Sequence, residues 1–278
     1  FNQASVNVSH IHYADLPEKR LGSATAISTI IHPHNPHVPS VHIHISWTEM
    51  KDGHGYWRIM GDLNPSIHHR TYSEKFTMAM KSAAPAHYEE AAAQGDQYFF
   101  IPALGRHRGV THFYLEDFSS HDFSADLHLA SRFGENVIDT YLEILEEASA
   151  EFGNFSQEDQ ATQLDYHTLY FFQVLTLDRG TTSGLLVHDQ NDLGIMGSLP
   201  SHINQELLET WSELVAPPQD QLVNGLATIT PSGKRVRVDD ESRLRLAQKV
   251  REHYQKHPQA LNLQASGNVI PPTVDNHR

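Results

Sequence analysis

Residues 31–47, IHPHNPHVPSVHIHISW, decide how the first half of this chain folds. Prolines at positions 33, 36 and 39 lack a backbone N–H and disfavour helix at the preceding residue. Residues 32–39 therefore predict a stiff, extended loop. From Val41 to Trp47 apolar and polar side chains alternate with a period of two, which predicts a strand.

The predicted strand carries two histidines on one face. Successive side chains of a strand point to opposite faces, so Ile43 faces one way while His42, His44 and Ser46 face the other. With a rise of about 3.3 Å per residue, the two histidines lie about 7 Å apart. A His-x-His pair on a strand is a common metal-binding arrangement, and His32 precedes it across the loop. The alternative is a half-exposed strand carrying solvated imidazoles.

The flanking segments predict a mixture of strands and helices. Further strands are predicted at 22–31, 56–60, 111–118, 169–177 and 181–187, with a hairpin at 222–238. Helices are predicted at 72–94 with a break at Pro85, at 124–152, at 203–215 and at 241–257, and a capping box at Ser156 and Asp159 begins a short one. Strands joined by turns, with helices appended, predict an α+β fold with a mostly antiparallel sheet. We expect one domain over residues 1–265 and a loose tail at 266–278.

The composition of the 278-residue chain removes several classes of function. Without cysteine it forms no disulfide, thiolate nucleophile or Cys-ligated metal centre. Lys and Arg total 20 against 34 Asp and Glu, and the resulting charge of −14 argues against nucleic acid as a partner, because it repels phosphates. No run approaches the ~18 apolar residues of a membrane span, and no secretory signal is visible, so we expect a cytoplasmic protein.

Two acidic residues at predicted strand ends are further candidates for a site. Asp62 lies in the turn sequence GDLNP at 61–65, where an aspartate ordinarily caps the turn or, alternatively, points into a cavity. Asp178 and Arg179 follow the apolar run 169–177 directly, and burying such charges is costly unless they are paired. They form either a structural ion pair or a carboxylate beside a guanidinium that binds an anionic substrate.

Motifs of three common enzyme classes are missing from the sequence. It has no G-x-S-x-G elbow, no H-E-x-x-H and no glycine-rich phosphate loop. Serine-hydrolase, zincin and nucleotide-cofactor functions therefore find no support.

Several of these segments, in this order, resemble the oxygen-dependent coproporphyrinogen III oxidases of haem biosynthesis. The most specific is IHPHNPHVPS at 31–40, which is close to the HPHNPxVP-T/S run of that family. The weaker matches are VNVSHIH at 6–12, GDLNP at 61–65, Arg108-Gly109 leading to Glu116-Asp117, DRGT at 178–181 and MGSLP at 196–200. The chain is thereby identified as a diverged member, without the N-terminal part of the family domain.

The resemblance implies a fold and an activity. The fold is a flat, mostly antiparallel sheet covered by helices on both faces, in a homodimer. The activity is the oxidative decarboxylation of two propionates of coproporphyrinogen III to vinyl groups, giving protoporphyrinogen IX. Molecular oxygen is the oxidant and no organic cofactor is used. The resemblance leaves open whether a divalent metal is bound. The partner is thus a small porphyrinogen, with neither nucleic acid nor a membrane span involved.

The resemblance also implies roles for individual residues. The expected catalytic residues are His42, Asp62 and Asp178. The expected substrate contacts are Ser28, His44 and Arg179. The proposed metal ligands are His32, His42 and His69. Within this set the two aspartates would engage the pyrrole N–H groups of the macrocycle, and His42 would transfer protons.

The chain departs from the family where cations are expected. It has His44 and Ser46 where the family has Asn and Arg, and that arginine would pair with a propionate. Residues 188–190 replace a glycine-glycine-arginine loop. The residues expected to restore positive charge are a protonated His44 and Arg70, Arg106 or Arg108.

Three hypotheses about function remain open at this point. The chain is an active oxidase with altered substrate contacts, a tetrapyrrole-binding homologue without turnover, or a metal-dependent enzyme on the same scaffold.

Overall fold

A central antiparallel sheet of five strands organises the computed structural model, which describes residues 2–267 except 14, 15, 17 and 230. The strands, in chain order, are β1 (Gln3–His12), β2 (Leu21–His32), β3 (Ser40–Met50), β4 (Gly55–Asn64), β5 (Phe100–Ile101), β6 (Arg106–His107), β7 (Thr111–Phe118), β8 (His202–Ile203) and β9 (Val236–Arg237). The central sheet has the order β1-β2-β3-β4-β7, and the short strands form two separate pairs, β5 with β6 and β8 with β9.

Helices surround the sheet. They are α1 (Arg70–Ala83), α2 (Tyr88–Phe99), α3 (Phe123–Glu151), α4 (Gln157–Thr176), α5 (Arg179–Val187), α6 (Asp192–Met196), α7 (Gln205–Trp211), α8 (Gln219–Ile229) and α9 (Asp240–Lys256). The expected α+β class with a mostly antiparallel sheet is confirmed. None of the helices in the described part of the chain is both long enough and apolar enough to cross a membrane.

Each face of the sheet packs against its own hydrophobic core. Ile59 and Met60 are neighbours on β4, yet they belong to different cores, because alternate side chains of a strand point in opposite directions. Ile59 packs in one core with Phe113 of β7 and Phe133 of α3. Met60 packs in the other core with Tyr114 and with side chains of α4, α5 and α7 to α9. The sheet is therefore covered by helices on both faces.

Three predicted strand segments are helical in the structure. Residues 169–176 of the run 169–177 lie in the second half of α4, 181–187 lies within α5, and residues 222–229 of the predicted hairpin lie within α8. In α4 consecutive residues from 163 to 176 are almost all buried, so the sequence shows no polar face and no period of 3.6 residues. A continuous apolar run cannot by itself distinguish a buried helix from a buried strand. The capping box at Ser156 and Asp159 was the correct signal, and it begins a helix of 20 residues.

The chain beyond α9 packs against the domain as far as it is described. The backbone N–H of Ala265 donates to the carbonyl of Leu177 at 2.9 Å, and Gly267 is buried beside Glu116. Of the predicted tail, residues 268–278 lie outside the described residues.

Gly109 fixes the approach of β7 to the end of β4. Its φ is +81°, a left-handed conformation that glycine adopts at little cost. A Cβ atom there would lie 2.7 Å from Asn64 Oδ1 and 2.9 Å from the carbonyl oxygen of Leu63. The position therefore needs glycine both for backbone conformation and for space, and it sets the direction of the preceding Arg108.

We predict that Gly109→Ala lowers the free energy of unfolding by about 3 kcal/mol or more, since strain and collision add. Gly105→Ala is the matched control: it also has positive φ, +59°, but open space around its Cα. It should cost only about 1 kcal/mol. Urea unfolding measures both, and equal losses would show that the close approach at Gly109 is unimportant.

Candidate active site

A cavity of about 640 Å³ lies between one face of the sheet and helices α4, α5 and α6. Strands β1 to β4 and β7 form its floor, and Tyr98 of α2 and Tyr170 of α4 contribute to its walls. Small-molecule sites typically have volumes of roughly 300–1,000 Å³. Its lining combines imidazole, hydroxyl, carboxylate, guanidinium and aliphatic groups, which suits a large ligand that is partly polar.

The polar centre of this face is built by strand pairing. His42 on β3 lies directly opposite Asp62 on β4, and His42 Nδ1 is 2.8 Å from Asp62 Oδ1. Arg108 Nη2 donates to Asp62 Oδ2 at 2.8 Å, and the Asn64 side-chain amide donates to the same oxygen. Asp62 and Arg108 are almost completely buried, with 0% and 1% exposure. The result is a buried ion pair that also holds an imidazole.

The charge on Asp62 is secured by its neighbours. Burial alone would raise the pKa of this carboxyl, but Arg108 and His42 outweigh it and hold the pKa well below its usual value. The carboxylate fixes the proton of His42 on Nδ1, which leaves Nε2 as the proton-accepting nitrogen. Asp62 thus lies behind His42 and Arg108, which line the cavity, and not at the cavity surface.

Arg108 is held from several sides. Besides Asp62, its Nη1 donates to Gln173 Oε1 of α4 at 2.7 Å. Its guanidinium lies over the rings of Phe99 and Tyr170, at 4.3 and 4.9 Å from their centroids. Arg108 therefore ties α2 and α4 to the sheet, and both of its terminal nitrogens donate within the protein.

Asp178 reaches the same region from the start of α5. Its Oδ1 accepts the backbone N–H of Thr181 at 2.6 Å, which caps the helix, and its Oδ2 accepts the Tyr98 hydroxyl at 3.0 Å. Burial would raise the pKa of this carboxyl, but the bonds from Thr181 and the charge of Arg108 lower it. Asp178 is partly exposed and lines the cavity as an anion.

The two predicted acids therefore converge on one cavity in different ways. Arg108 and His42 lower the pKa of both carboxyls, so both acids lie within their electrostatic reach. Asp178 faces the cavity directly, whereas Asp62 acts on it through the two residues it holds.

Arg179 turns away from the ligand space. Its Nη2 donates to both carboxylate oxygens of Glu116, at 2.7 and 2.8 Å, and contacts the Tyr114 hydroxyl at 3.3 Å. Gly267 covers this pair, since a Cβ there would lie 2.6 Å from Glu116 Oε2. Of the two alternatives that the sequence left open for Arg179, the structure shows the structural ion pair. In this geometry Arg179 does not line the cavity as the expected substrate contact would.

Ser28 and His44, the other expected substrate contacts, both line the cavity. They lie opposite each other in the β2–β3 pairing, and His44 Nε2 is 3.2 Å from Ser46 Oγ. Burial, with the nearby charge of Arg58, lowers the pKa of His44 to about 3. His44 is thus neutral near pH 7, and the expectation that a protonated His44 supplies a cation is not met.

His32 is fully engaged within the protein. Its Nδ1 lies 3.1 Å from Ser40 Oγ, and its Nε2 lies 3.1 Å from the carbonyl oxygen of Ser198. The side chain is completely buried. Neither ring nitrogen is left for a metal ion, and the residue connects the start of β3 to the segment after α6.

His69 lies in a different cluster. It stacks on Phe152 at a centroid distance of 4.4 Å, and its Nε2 lies 3.1 Å from His37 Nδ1. Within the described residues, no group of three or more His, Asp or Glu side chains is placed to hold a metal ion. The structure therefore does not assemble His32, His42 and His69 into one site, and the donor set does not fit a resident metal.

Two of the arginines expected to restore positive charge lie outside the cavity lining. Arg70 is 85% exposed at its side chain and pairs with Glu74 on α1. Arg106 is exposed on β6. The cation that the sequence analysis missed is Arg58, which lines the cavity from β4. A signal existed, because alternation backward from Asp62 places Arg58 on the same face of the strand.

Comparison with known proteins finds a family that matches most of the chain. The family model described as Coproporphyrinogen III oxidase matches residues 1–226. The chain is similar to the mitochondrial oxygen-dependent coproporphyrinogen-III oxidase of Rattus norvegicus, with 26% identity over 246 residues, covering 79% of this chain and 54% of that protein.

Two further relatives are also oxygen-dependent coproporphyrinogen-III oxidases by name. The Mus musculus protein of the same name is 26% identical over 206 residues, covering 71% of this chain and 45% of the relative. An oxygen-dependent coproporphyrinogen-III oxidase of Drosophila melanogaster is 29% identical over 194 residues, covering 66% and 49%. The chain spans about half the length of these curated relatives.

We predict that His32 makes stability depend on pH. Burial lowers its pKa from 6.5 to about 4, so the unfolded chain takes up this proton first as the pH falls. The contribution of neutral His32 is complete above pH 6.5 and is lost between 6.5 and 4. From about pH 7.5 to about pH 5 the wild type should lose about 2 kcal/mol more than His32→Gln. Denaturant unfolding at both pH values tests this, and parallel losses would contradict it.

Proposed function

The chain belongs to the coproporphyrinogen III oxidase family as a diverged member, and we propose on that premise that it oxidatively decarboxylates propionate groups of coproporphyrinogen III with O2. The observation that carries this proposal is the cavity itself. A carboxylate, Asp178, and an imidazole, His42, face one space of about 640 Å³.

The proposed reaction balances without an organic cofactor. Each propionate loses CO2, one proton and two electrons, and becomes a vinyl group. Two propionates release four electrons and two protons, and O2 takes up four electrons and four protons to give two waters. The two additional protons come from solvent. No step of the proposal passes through a metal.

Asp178 is proposed to hold the macrocycle through its pyrrole N–H groups. Its oxygens accept one bond each from Thr181 and Tyr98, and a carboxylate has about four lone-pair positions. Capacity therefore remains for a pyrrole N–H. A carboxylate near a pyrrole N–H stabilises loss of that proton, which makes the ring electron-rich and reactive toward O2.

His42 is proposed to move protons on the substrate side. Its Nδ1 is engaged by Asp62, so Nε2 is the nitrogen offered to a ligand. Asp62 is a positioning residue in this scheme, because it holds the imidazole and does not touch the ligand space. Ser28 and His44 complete the polar floor beside it.

A tetrapyrrole-binding protein without turnover is the second candidate. Ser46 favours it, because a serine stands where the resemblance leads us to expect a propionate-binding arginine. Binding of coproporphyrinogen III without CO2 release would separate this candidate from the oxidase. A homodimer in the cytoplasm also remains part of the proposal, to be tested by sedimentation and by cell fractionation.

We predict that Asp178→Asn reduces O2-dependent formation of vinyl products by at least about 100-fold, because the charge facing the substrate is lost. Asparagine caps helices about as well as aspartate, so α5 should remain folded. The measurement is chromatography of the oxidised porphyrin products after incubation of coproporphyrinogen III in air.

The matched control is Asp122→Asn, which changes the capping aspartate of α3. It should retain wild-type turnover. Wild-type turnover in Asp178→Asn, or equal loss in both variants, would contradict the role of Asp178. A wild type that leaves the substrate unchanged in air, beside a working control enzyme, would exclude the oxidase.

A further inference from the structure

We propose that Arg58 is the carboxylate-binding residue of this cavity and pairs with a propionate of the ligand from β4. The inference rests on the proposed function for the identity of the ligand. It assigns the site a cation that neither the motifs nor the resemblance placed there.

Two arginines line the cavity within the described part of the chain, Arg58 and Arg108. Arg108 donates to Asp62 and to Gln173, and aromatic rings lie against its guanidinium. Because removing it from Asp62 would leave a buried carboxylate unpaired, Arg108 is unsuited to a second anion. Arg58 is the better candidate on these grounds.

Arg58 is held loosely by comparison. Its Nη2 reaches Glu116 Oε1 at 3.3 Å, while Arg179 already occupies both oxygens of that carboxylate at 2.7 and 2.8 Å. Arg58 Nε is buried without a hydrogen-bond partner among the described residues, and so is Arg108 Nε, so the difference between the two arginines lies at their terminal nitrogens. Within the described residues the Arg58 guanidinium makes one hydrogen bond, at 3.3 Å, whereas Arg108 donates through both Nη1 and Nη2, so Arg58 keeps more donor capacity for a ligand carboxylate.

The charges around Arg58 also favour an anion. One carboxylate, Glu116, is shared by two guanidinium groups, Arg58 and Arg179, so these three side chains together carry one excess positive charge, while the Asp178 carboxylate lines the same cavity from α5. The neighbouring His44 is neutral near pH 7, because burial lowers its pKa to about 3. In a chain with a formal charge of −14, such a local excess concentrates the attraction at one point of the cavity.

The pairing of β3 with β4 explains how an arginine at position 58 can take the place of an arginine at position 46. Arg58 on β4 pairs directly with Ser46 on β3, and both side chains line the cavity. Side chains of directly paired residues lie about 4.5–5.5 Å apart at Cβ. An arginine at 46 and an arginine at 58 therefore reach the same region, and the small Ser46 leaves room for the longer neighbour.

Fluorescence titration with coproporphyrin III, which carries four carboxylates, tests this assignment. The neutral tetraamide of the same porphyrin is the comparison ligand. Wild type should bind the acid more tightly than the amide. Arg58→Ser should weaken binding of the acid by roughly 10- to 100-fold and leave binding of the amide unchanged.

The swap variant Arg58→Ser with Ser46→Arg should recover most of the lost affinity for the acid. Arg70→Ser is the control, since it removes one positive charge from α1, which packs on the other face of the sheet. It should behave as wild type. Thermal unfolding checks that every variant is folded, and Arg58→Lys, which retains the charge, should bind the acid more tightly than Arg58→Ser.

The outcomes separate two kinds of failure. If wild type binds the acid more tightly than the amide and Arg58→Ser keeps that preference, the assignment of Arg58 is overturned while the proposed function stands. Equal weakening of acid and amide also overturns it, because the effect is then not on the carboxylate. A wild type that binds neither ligand overturns the proposed function, and the assignment of Arg58 with it.

Discussion

The buried pair of Asp62 and Arg108 is the interaction on which the rest of the structure depends. It joins the end of β4 to the segment before β7, and through Gln173 and Phe99 it reaches α4 and α2. Removing one partner of such a pair costs about 3–5 kcal/mol, because the other charge is left buried and unpaired. The same pair orients His42. Stability of the domain and the arrangement of the cavity therefore share one physical cause.

The charged residues in and around the cavity fall into two groups: those that stabilise the fold and those that line the cavity. Asp62, Arg108 and the Glu116–Arg179 pair have their partners inside the protein. Asp178 and Arg58 line the cavity, and their hydrogen bonds within the described residues leave part of their bonding capacity unused. Such a division allows an acidic chain to offer both an acceptor for N–H groups and a donor for carboxylates within one space. A porphyrinogen has both features, with pyrrole N–H groups at its centre and carboxylates at its periphery.

The sequence predicted four of the five strands of the central sheet, missed β1, and predicted three helical segments as strands. Alternation from Val41 to Trp47 placed His42 and His44 correctly on one face, because a strand with one packed face and one cavity face shows its period plainly. The run 169–177 was predicted as a strand and is helical, since a helix buried on all sides shows no period. For the site, Asp178 and His42 were predicted and do line the cavity.

Other parts of the site could not be predicted from local pattern. The pairing of Asp62 with Arg108 connects residues 46 positions apart, and only the three-dimensional fold brings them together. From the sequence, Arg179 could be either a ligand contact or part of a structural ion pair, and the structure pairs it with Glu116. Arg58 had a signal in the alternation of β4, but its importance depends on Ser46 across the strand pair.

A crystal structure of the protein with coproporphyrin III bound is the most direct test of the central claim that this cavity receives a tetrapyrrole. The macrocycle should lie between the sheet and helices α5 and α6, with its pyrrole nitrogens facing Asp178 and a propionate at Arg58. A porphyrin bound elsewhere on the molecule, with this cavity left without ligand, would contradict it.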